Sequence, residues 1–139
     1  IVGQGKLKGA LEELVSQSGL TGKVFLASPA SRGELWGYFR DADAFMLLSM
    51  SEGLGLVLHE AIHAGLPLFA SPVGGMRDTI GSDGERGYYY QEGGDLRLLK
   101  TRMEAAFSRS GDVPAMIERA TQFLSALGSG QKTINNFFT

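Results

Sequence analysis

The chain has 139 residues, of which 43% are hydrophobic, a composition that suits one globular domain with a sizeable core. Its 13 basic and 15 acidic residues leave a formal net charge of -2, so no basic field predicts binding to nucleic acid or to an anionic membrane surface. The sequence contains no cysteine, which excludes disulfides and thiolate metal sites, and no apolar run approaches the ~20 residues that span a bilayer.

The first part of the chain predicts a strand, a helix, a second strand and a second helix. Ile1–Val2 is predicted to be the end of a strand, and Lys23–Ala27 a short buried strand. The helix between them would carry an apolar face formed by Leu7, Leu11, Leu14 and Val15. Ser31 can cap the next helix, which would run through Ala42, and Glu34 completes a Ser-x-x-Glu capping box.

The second part of the chain alternates strands with helices. Ala44–Leu48 is a continuous apolar run, which is typical of a strand covered on both faces. A helix over Gly55–Ala64 would follow and would be ended by Gly65 and Pro67. The remaining predicted elements are strands Leu68–Ala70 and Tyr88–Tyr90, a single turn Met76–Ile80, and helices Asp95–Ser108 and Pro114–Leu127. This alternation predicts an α/β fold with a doubly wound parallel sheet.

The predicted domain covers residues 1–127, and Gly128–Thr139 is predicted to be a C-terminal tail. Ile1–Val2 runs straight into a Gly-x-Gly turn, which suggests that the chain begins inside a sheet. Because parallel sheets of this class usually carry about 5–6 strands, we expect the domain to lack its first strand or strands. The alternative is a short edge strand in a complete small domain.

Residues 51–67, SEGLGLVLHEAIHAGLP, predict a binding site at the start of a helix. In a doubly wound sheet, ligands bind at the carboxyl ends of the strands, where the next helix begins. The first amides of that helix have no intrahelical partner, and together with the helix dipole they form a site for phosphate. These amides belong to Gly55, Leu56 and Val57. Gly53 and Gly55 would let the backbone approach a ligand closely.

Two carboxylates flank this predicted phosphate site. Glu52 lies in the loop before the helix and Glu60 on its second turn, with seven residues between them. Carboxylates accept hydrogen bonds from the vicinal hydroxyls of ribose and hexose, so each could hold one end of a diphosphate-linked ligand. The alternative is an acidic residue favoured by the helix dipole together with a solvated glutamate.

The same helix also contains the zinc-peptidase pattern H-E-x-x-H at residues 59–63. His59 and His63 would lie on one helix face, and Glu60 could act as a general base. A third ligand would have to be a carboxylate, because the chain has no cysteine and no other histidine. The candidates are Asp78, Asp83, Glu85 and Glu92. The alternative is that both histidines belong to a surface stripe of an amphipathic helix.

Residues 51–75, SEGLGLVLHEAIHAGLPLFASPVGG, resemble the donor-binding segment of the family 4 (group 1) glycosyltransferases. These are retaining enzymes of the GT-B fold, and their hallmark is two glutamates separated by seven residues. The similarity also covers IVGQGKLKGALEEL, SRGELWGYFRDADAFMLLS and, more weakly, GERGYYYQEGGDLRLL, so it extends in order over about residues 1–100. Leu54 in place of the usual Phe, and Arg77-Asp78 in place of Pro-Glu, are mild departures. The resemblance implies a Rossmann-like C-terminal half-domain of a GT-B glycosyltransferase.

The resemblance also implies a role for each matching residue. Glu52 would contact the transferred sugar or the reacting centre, and Glu60 the ribose hydroxyls. The backbone near Ala30 would meet the nucleobase. The other implied donor-binding positions are Gly53, the backbone of Leu54, Gly55, Leu56 and Val57 for sugar hydroxyls and phosphates, and the glycine pair Gly74 and Gly75 near the same cleft.

The implied substrate is a nucleotide-diphosphate sugar, with no separate cofactor and no metal. The family's phosphate-binding Arg and Lys and its acceptor-binding N-terminal domain lie upstream of the segment that matches Ile1, so we expect the isolated chain to bind donor weakly without transferring sugar.

The expected partners of the chain are the nucleotide sugar and an N-terminal acceptor domain or partner chain, and an exposed sheet edge would allow self-association. We expect a cytoplasmic location, peripheral to the membrane if the intact enzyme acts there. The alternative function is a noncatalytic module that binds nucleotide sugar or pairs with a partner chain.

Overall fold

A computed structural model describes residues 1–90, 96–108 and 112–130 of the chain. The chain folds into two compact units, Ile1–Asp41 and a second unit that begins at Ala42. The last helix continues through Gly130, so the first three residues of the predicted tail have a helical backbone. Residues 131–139 of that tail, and Asp95 at the start of a predicted helix, lie outside the described residues.

The first unit contains one parallel β-bridge and two helices. Val2 pairs with Ala27, and the Ala27 amide donates to the carbonyl of Ile1 at 2.8 Å. Only the last residue of the predicted strand Lys23–Ala27 pairs in this way, because the amides of residues 23 and 24 both donate to the carbonyl of Leu20 in a turn. The helices are α1, Lys8–Gln17, and α2, Arg32–Asp41.

The predicted capping box at the start of α2 is confirmed. The Ser31 amide donates to the Glu34 carboxylate at 2.8 Å, and the Glu34 amide donates to the Ser31 hydroxyl at 3.4 Å. The hydroxyl of Ser31 also donates to that carboxylate at 2.6 Å. These hydrogen bonds hold the pKa of Glu34 below its usual value, because they favour the charged carboxylate.

The second unit is built on three short parallel strands in the order β1-β2-β3. The strands are β1, Phe45–Leu47, β2, Leu68–Ala70, and β3, Tyr88–Tyr89. The helices are α3, Leu56–His63, α4, Met76–Ile80, α5, Leu96–Ala106, and α6, Val113–Gly130. Within the described residues, no helix is long and apolar enough to cross a membrane.

Helices cover both faces of this sheet. Side chains alternate along a strand, so Phe69 points to one face and Leu68 to the other. Phe69 is fully buried in a cluster that includes Leu99 of α5. On the opposite face, a Cβ added to Gly87 would lie 3.0 Å from Leu68 and 3.3 Å from Ile80 of α4. Strands, helices and parallel pairing therefore confirm the predicted α/β fold with a doubly wound sheet.

The strand β1 is less covered than predicted. Met46 pairs with Phe69 but keeps 40% of its surface exposed, and Leu48 keeps 42%. The prediction that Ala44–Leu48 is covered on both faces is wrong for these two side chains, because β1 lies at one edge of the three strands in the described part of the chain. Self-association through an exposed sheet edge stays a prediction.

Candidate functional site

Two loops meet where β1 and β2 end, and together they contain most of the predicted site residues. The first loop, residues 48–55, connects β1 to α3. The second loop, residues 71–75, connects β2 to α4. Because the two strands are parallel neighbours, their carboxyl ends lie at the same edge of the sheet. This is the edge at which open α/β sheets bind ligands.

The predicted glycine pair joins the two loops through main-chain atoms. The Gly75 amide donates to the Gly53 carbonyl at 2.7 Å. A Cβ added to Gly74 would lie 1.9 Å from the carbonyl oxygen of Glu52. A Cβ added to Gly75 would lie 3.0 Å from the carbonyl oxygen of Gly53. Gly74 also has a positive φ of 51°, which favours glycine over residues that carry a Cβ. The loops can therefore touch only because these two positions carry no side chain.

Helix α3 begins at a left-handed glycine. Gly55 is its N-cap, with φ 62° and ψ 40°, and its carbonyl accepts from the Leu58 amide at 2.8 Å. A Cβ at Gly55 would come within 3.1 Å of the Met76 side chain at the start of α4. The positive φ favours glycine at this position, and a Cβ would also be in tight contact with Met76.

The first turn of α3 has open amides, as the sequence predicts. Among the described residues, no backbone or side-chain group accepts a hydrogen bond from the amides of Gly55, Leu56 or Val57. These N–H groups and the positive end of the helix dipole favour an anionic group. The geometry is suited to a phosphate placed above Gly55.

The two predicted carboxylates lie on either side of this first turn. Glu52 is half-buried in the first loop, and its carboxylate accepts from the Gly53 amide at 3.2 Å. Glu60 is half-buried on α3, four residues after Leu56, which is about 6 Å along the helix axis. Their placement before and after the open amides agrees with the arrangement that the sequence predicts. Their individual contacts with a ligand stay predictions.

The two histidines of α3 make internal hydrogen bonds. His59 Nε2 lies 3.1 Å from the Thr79 hydroxyl, and His63 Nδ1 donates to the His59 carbonyl at 2.8 Å. Burial, together with the nearby charge of His63, lowers the pKa of His59 from its ordinary value of 6.5. The alternative of a surface stripe is therefore wrong for His59, which is half-buried against α4.

The zinc-site hypothesis gains no support from this geometry. In the described ranges 1–90, 96–108 and 112–130, no three His, Asp or Glu side chains lie close enough to hold a metal ion together. Asp83 and Glu85 instead pair with Arg102 and Arg86. Glu92, another proposed third ligand, lies outside the described residues.

Thr79 is a polar residue of this region that the sequence patterns did not single out. Its side chain is buried, with 2% of the residue exposed, and its hydroxyl donates to the Gly75 carbonyl at 3.2 Å. The only signal in the sequence is a polar β-branched residue inside a five-residue helix that follows a glycine pair. That signal does not reveal its partner His59, which lies 20 residues earlier.

Ala30 and Arg77 complete the set of residues that the sequence raised. Ala30 belongs to the first unit, in the segment between the bridge residue Ala27 and α2, and its role in binding a nucleobase stays a prediction. Arg77 lies exposed on α4, and its Nε donates to the Pro72 carbonyl at 2.5 Å. Arg77 therefore stabilises the start of the loop of residues 71–75, whereas the glycine pair lies at its end.

Comparisons with known proteins agree with this arrangement. The family model described as "Glycosyl transferases group 1" matches residues 1–123. Two similar proteins are D-inositol 3-phosphate glycosyltransferases. The enzyme of Arthrobacter sp. is 40% identical over 87 residues, which cover 60% of this chain and 20% of the relative. That of Streptomyces scabiei is 32% identical over 110 residues, which cover 79% of this chain and 24% of the relative. The chain thus spans about a fifth to a quarter of the length of these curated relatives.

The fold is also found in solved glycosyltransferases. The structure of WaaG, a glycosyltransferase involved in lipopolysaccharide biosynthesis, matches with a TM-score of 0.70 and 29% sequence identity, and the match covers 88% of this chain and 32% of WaaG. The family match covers nearly the whole chain, including both loops of the site. The chain therefore belongs to the group 1 glycosyltransferases of the GT-B fold, and it resembles their C-terminal domain.

Proposed function

We propose that this chain is the donor-binding portion of a retaining glycosyltransferase and that it binds a nucleotide-diphosphate sugar where its two site loops meet. The observation that carries this proposal is the main-chain contact between Gly75 and Gly53, which lies beside the open amides at the start of α3. This contact is made by main-chain atoms alone, at two positions that carry no side chain. A diphosphate could then approach the backbone closely.

The diphosphate would bind at the first turn of α3. The amides of Leu56 and Val57 would donate to its oxygens, and the helix dipole would favour its negative charge. When the bond between the sugar and the diphosphate breaks, the departing diphosphate keeps the electron pair and gains negative charge. Amides that are already oriented stabilise that charge without reorganising, which is how such groups lower a reaction barrier.

The two carboxylates would hold the two ends of the donor. Glu60, one turn into α3, would accept hydrogen bonds from the ribose hydroxyls. Glu52, in the loop before the helix, would contact the transferred sugar at its reacting end. The proposal concerns the donor only, because the chain spans 20% to 24% of the curated relatives, whose names state the acceptor of the whole enzymes.

A titration of the purified chain tests this proposal. UDP-, GDP- and ADP-glucose would be added in separate calorimetric titrations, and we expect one of them to bind. Glu60→Gln should weaken that binding at least about tenfold, because a hydrogen bond to a charged group contributes about 1.5–3 kcal/mol. The matched control is Glu104→Gln, since Glu104 lies exposed on α5 and pairs only with Lys100, at 3.5 Å, among its described ionic contacts.

The outcomes are distinct. Binding of one nucleotide sugar that is weakened by Glu60→Gln and not by Glu104→Gln supports the proposal. Absence of binding by all three, at concentrations up to the millimolar range, would contradict it. Equal weakening by the two variants would indicate a general charge effect and would remove the specific role of Glu60.

A further inference from the structure

A chain of hydrogen bonds links α3 to the loop contact through the buried residue Thr79. The Gly75 carbonyl accepts from the Thr79 amide at 3.1 Å and from the Thr79 hydroxyl at 3.2 Å. The hydroxyl has a single proton, so while it donates to Gly75 it must accept from His59 Nε2, 3.1 Å away. His59 therefore acts as the donor in this link.

Hydrogen bonds join the start of α3 to the loop of residues 71–75 by two separate routes. Gly75 donates its own amide to Gly53, at 2.7 Å, two residues before the N-cap of α3. His59 lies on α3, one turn after that N-cap. The start of the helix is thus connected to the glycine loop twice, once directly through Gly53 and once through His59 and Thr79.

We infer that Thr79 is a positioning residue of the donor site: its hydroxyl, held by His59, fixes Gly75 and through Gly75 the backbone of the loop before α3. Thr79 is 2% exposed, so water does not compete for these bonds. Removal of the hydroxyl leaves His59 without its acceptor and takes one of two donors from the Gly75 carbonyl. The expected effect of Thr79 on donor binding rests on the proposed function.

The test compares four variants by two measurements. Thr79→Val removes the hydroxyl and keeps the shape, and Thr79→Ser keeps the hydroxyl and removes the methyl group. Thr101→Val is the matched control, because Thr101 is exposed on α5 and its hydroxyl donates at 2.9 Å to a carbonyl four residues earlier. The first measurement is amide hydrogen exchange at Gly75 without ligand, and the second is the Kd for the nucleotide sugar that the unmodified chain binds best.

We expect Thr79→Val to speed Gly75 exchange and to weaken donor binding, each by about two- to tenfold, the range that one net hydrogen bond allows. Thr79→Ser should stay within about twofold of the unmodified chain, and Thr101→Val should change neither quantity. Because Thr79 is buried, His59→Leu provides a second variant at the half-buried end of the link, and it should change both quantities in the same direction.

The inference would be overturned by unchanged Gly75 exchange in both Thr79→Val and His59→Leu. It would also be overturned if Thr79→Ser behaved like Thr79→Val, since the hydroxyl that serine retains would then not hold Gly75 in place. If the unmodified chain binds none of the three nucleotide sugars, the proposed function fails, and the expected effect of Thr79 on donor binding fails with it. Gly75 exchange then still decides whether Thr79 positions the loop.

Discussion

Gly74 occupies the tightest position in the site, and its substitution measures how closely the two loops must approach. Gly74→Ala adds a methyl group 1.9 Å from the Glu52 carbonyl oxygen, so one of the loops must move. Gly65→Ala is the matched control, because Gly65 also has a positive φ, 75°, but a Cβ there would meet no atom within 4 Å. The two substitutions share the backbone strain and differ only in the overlap.

We expect Gly65→Ala to lower the free energy of unfolding by roughly 1–2 kcal/mol, the cost of a left-handed residue with a Cβ. Gly74→Ala should lower it by about 1–3 kcal/mol more, which is typical of forced overpacking, and should weaken donor binding. Urea unfolding followed by circular dichroism would measure both free energies. Equal losses in the two variants would show that the loops do not need to touch.

His59 makes the stability of the chain depend on pH in a defined direction. Its folded-state pKa lies below the ordinary value of 6.5, because burial disfavours the charged ring. Between 6.5 and the lowered value, the unfolded state binds more protons than the folded state, so stability falls as the pH falls through this window. Above about pH 6.5 this contribution is fully present and constant.

Replacing His59 by Leu should remove that part of the pH dependence. The variant loses the hydrogen bond to Thr79 at every pH, so its unfolding free energy should be lower throughout. The difference between the two proteins should shrink as the pH falls below 6.5, because protonation of His59 favours the unfolded state of the unmodified chain only. Urea unfolding at closely spaced pH values would reveal this, and a constant difference would contradict it.

At the scale of elements, α2 has the best-defined start in the first unit. Ser31→Ala removes the hydroxyl that accepts from the Glu34 amide, and we expect it to cost about 0.5–2 kcal/mol. Ser18→Ala serves as a control, because Ser18 caps the end of α1 through its backbone amide. The single tryptophan, Trp36, lies on α2 and would report the unfolding of this helix by its fluorescence. Equal stability of the two variants would show that the capping box contributes nothing measurable.

The sequence predicts the elements of the second unit well and those of the first less well. Leu68–Ala70 and Met76–Ile80 agree with the structure at both ends, since glycine, proline and apolar runs mark their limits. Lys23–Ala27 has the composition of a strand, but local turn hydrogen bonds use the amides that a strand would need. The competition between a turn and a strand is not visible in hydrophobic periodicity alone.

The candidate site divides in the same way. The carboxylates and the open amides follow from local order along the chain, so Glu52, Gly55 and Glu60 are predictable from sequence. The link between His59 and Thr79 joins residues 20 positions apart, and the hydropathy of either segment gives no sign of it. Contacts of this kind depend on the packing of α3 against α4, which a single sequence does not specify in detail.

At the scale of the whole molecule, binding and transfer are expected to separate. The chain holds the proposed donor site but spans only 20% to 24% of its curated relatives. We therefore expect the purified chain to bind a nucleotide sugar without releasing nucleoside diphosphate. Quantification of the released diphosphate over time measures this. Steady release that is abolished by Glu52→Gln would contradict the prediction.

The contact between Gly75 and Gly53 also affects how the site tolerates mutation. It is formed by an amide and a carbonyl, which every residue except proline provides, so the neighbouring side chains do not determine its geometry. Exposed loop positions such as Met50 and Leu54, which are 77% and 70% exposed, can therefore be randomised with the frame of the site intact. We expect a library at these two positions, with Gly53, Gly74 and Gly75 kept, to retain the contact between Gly75 and Gly53.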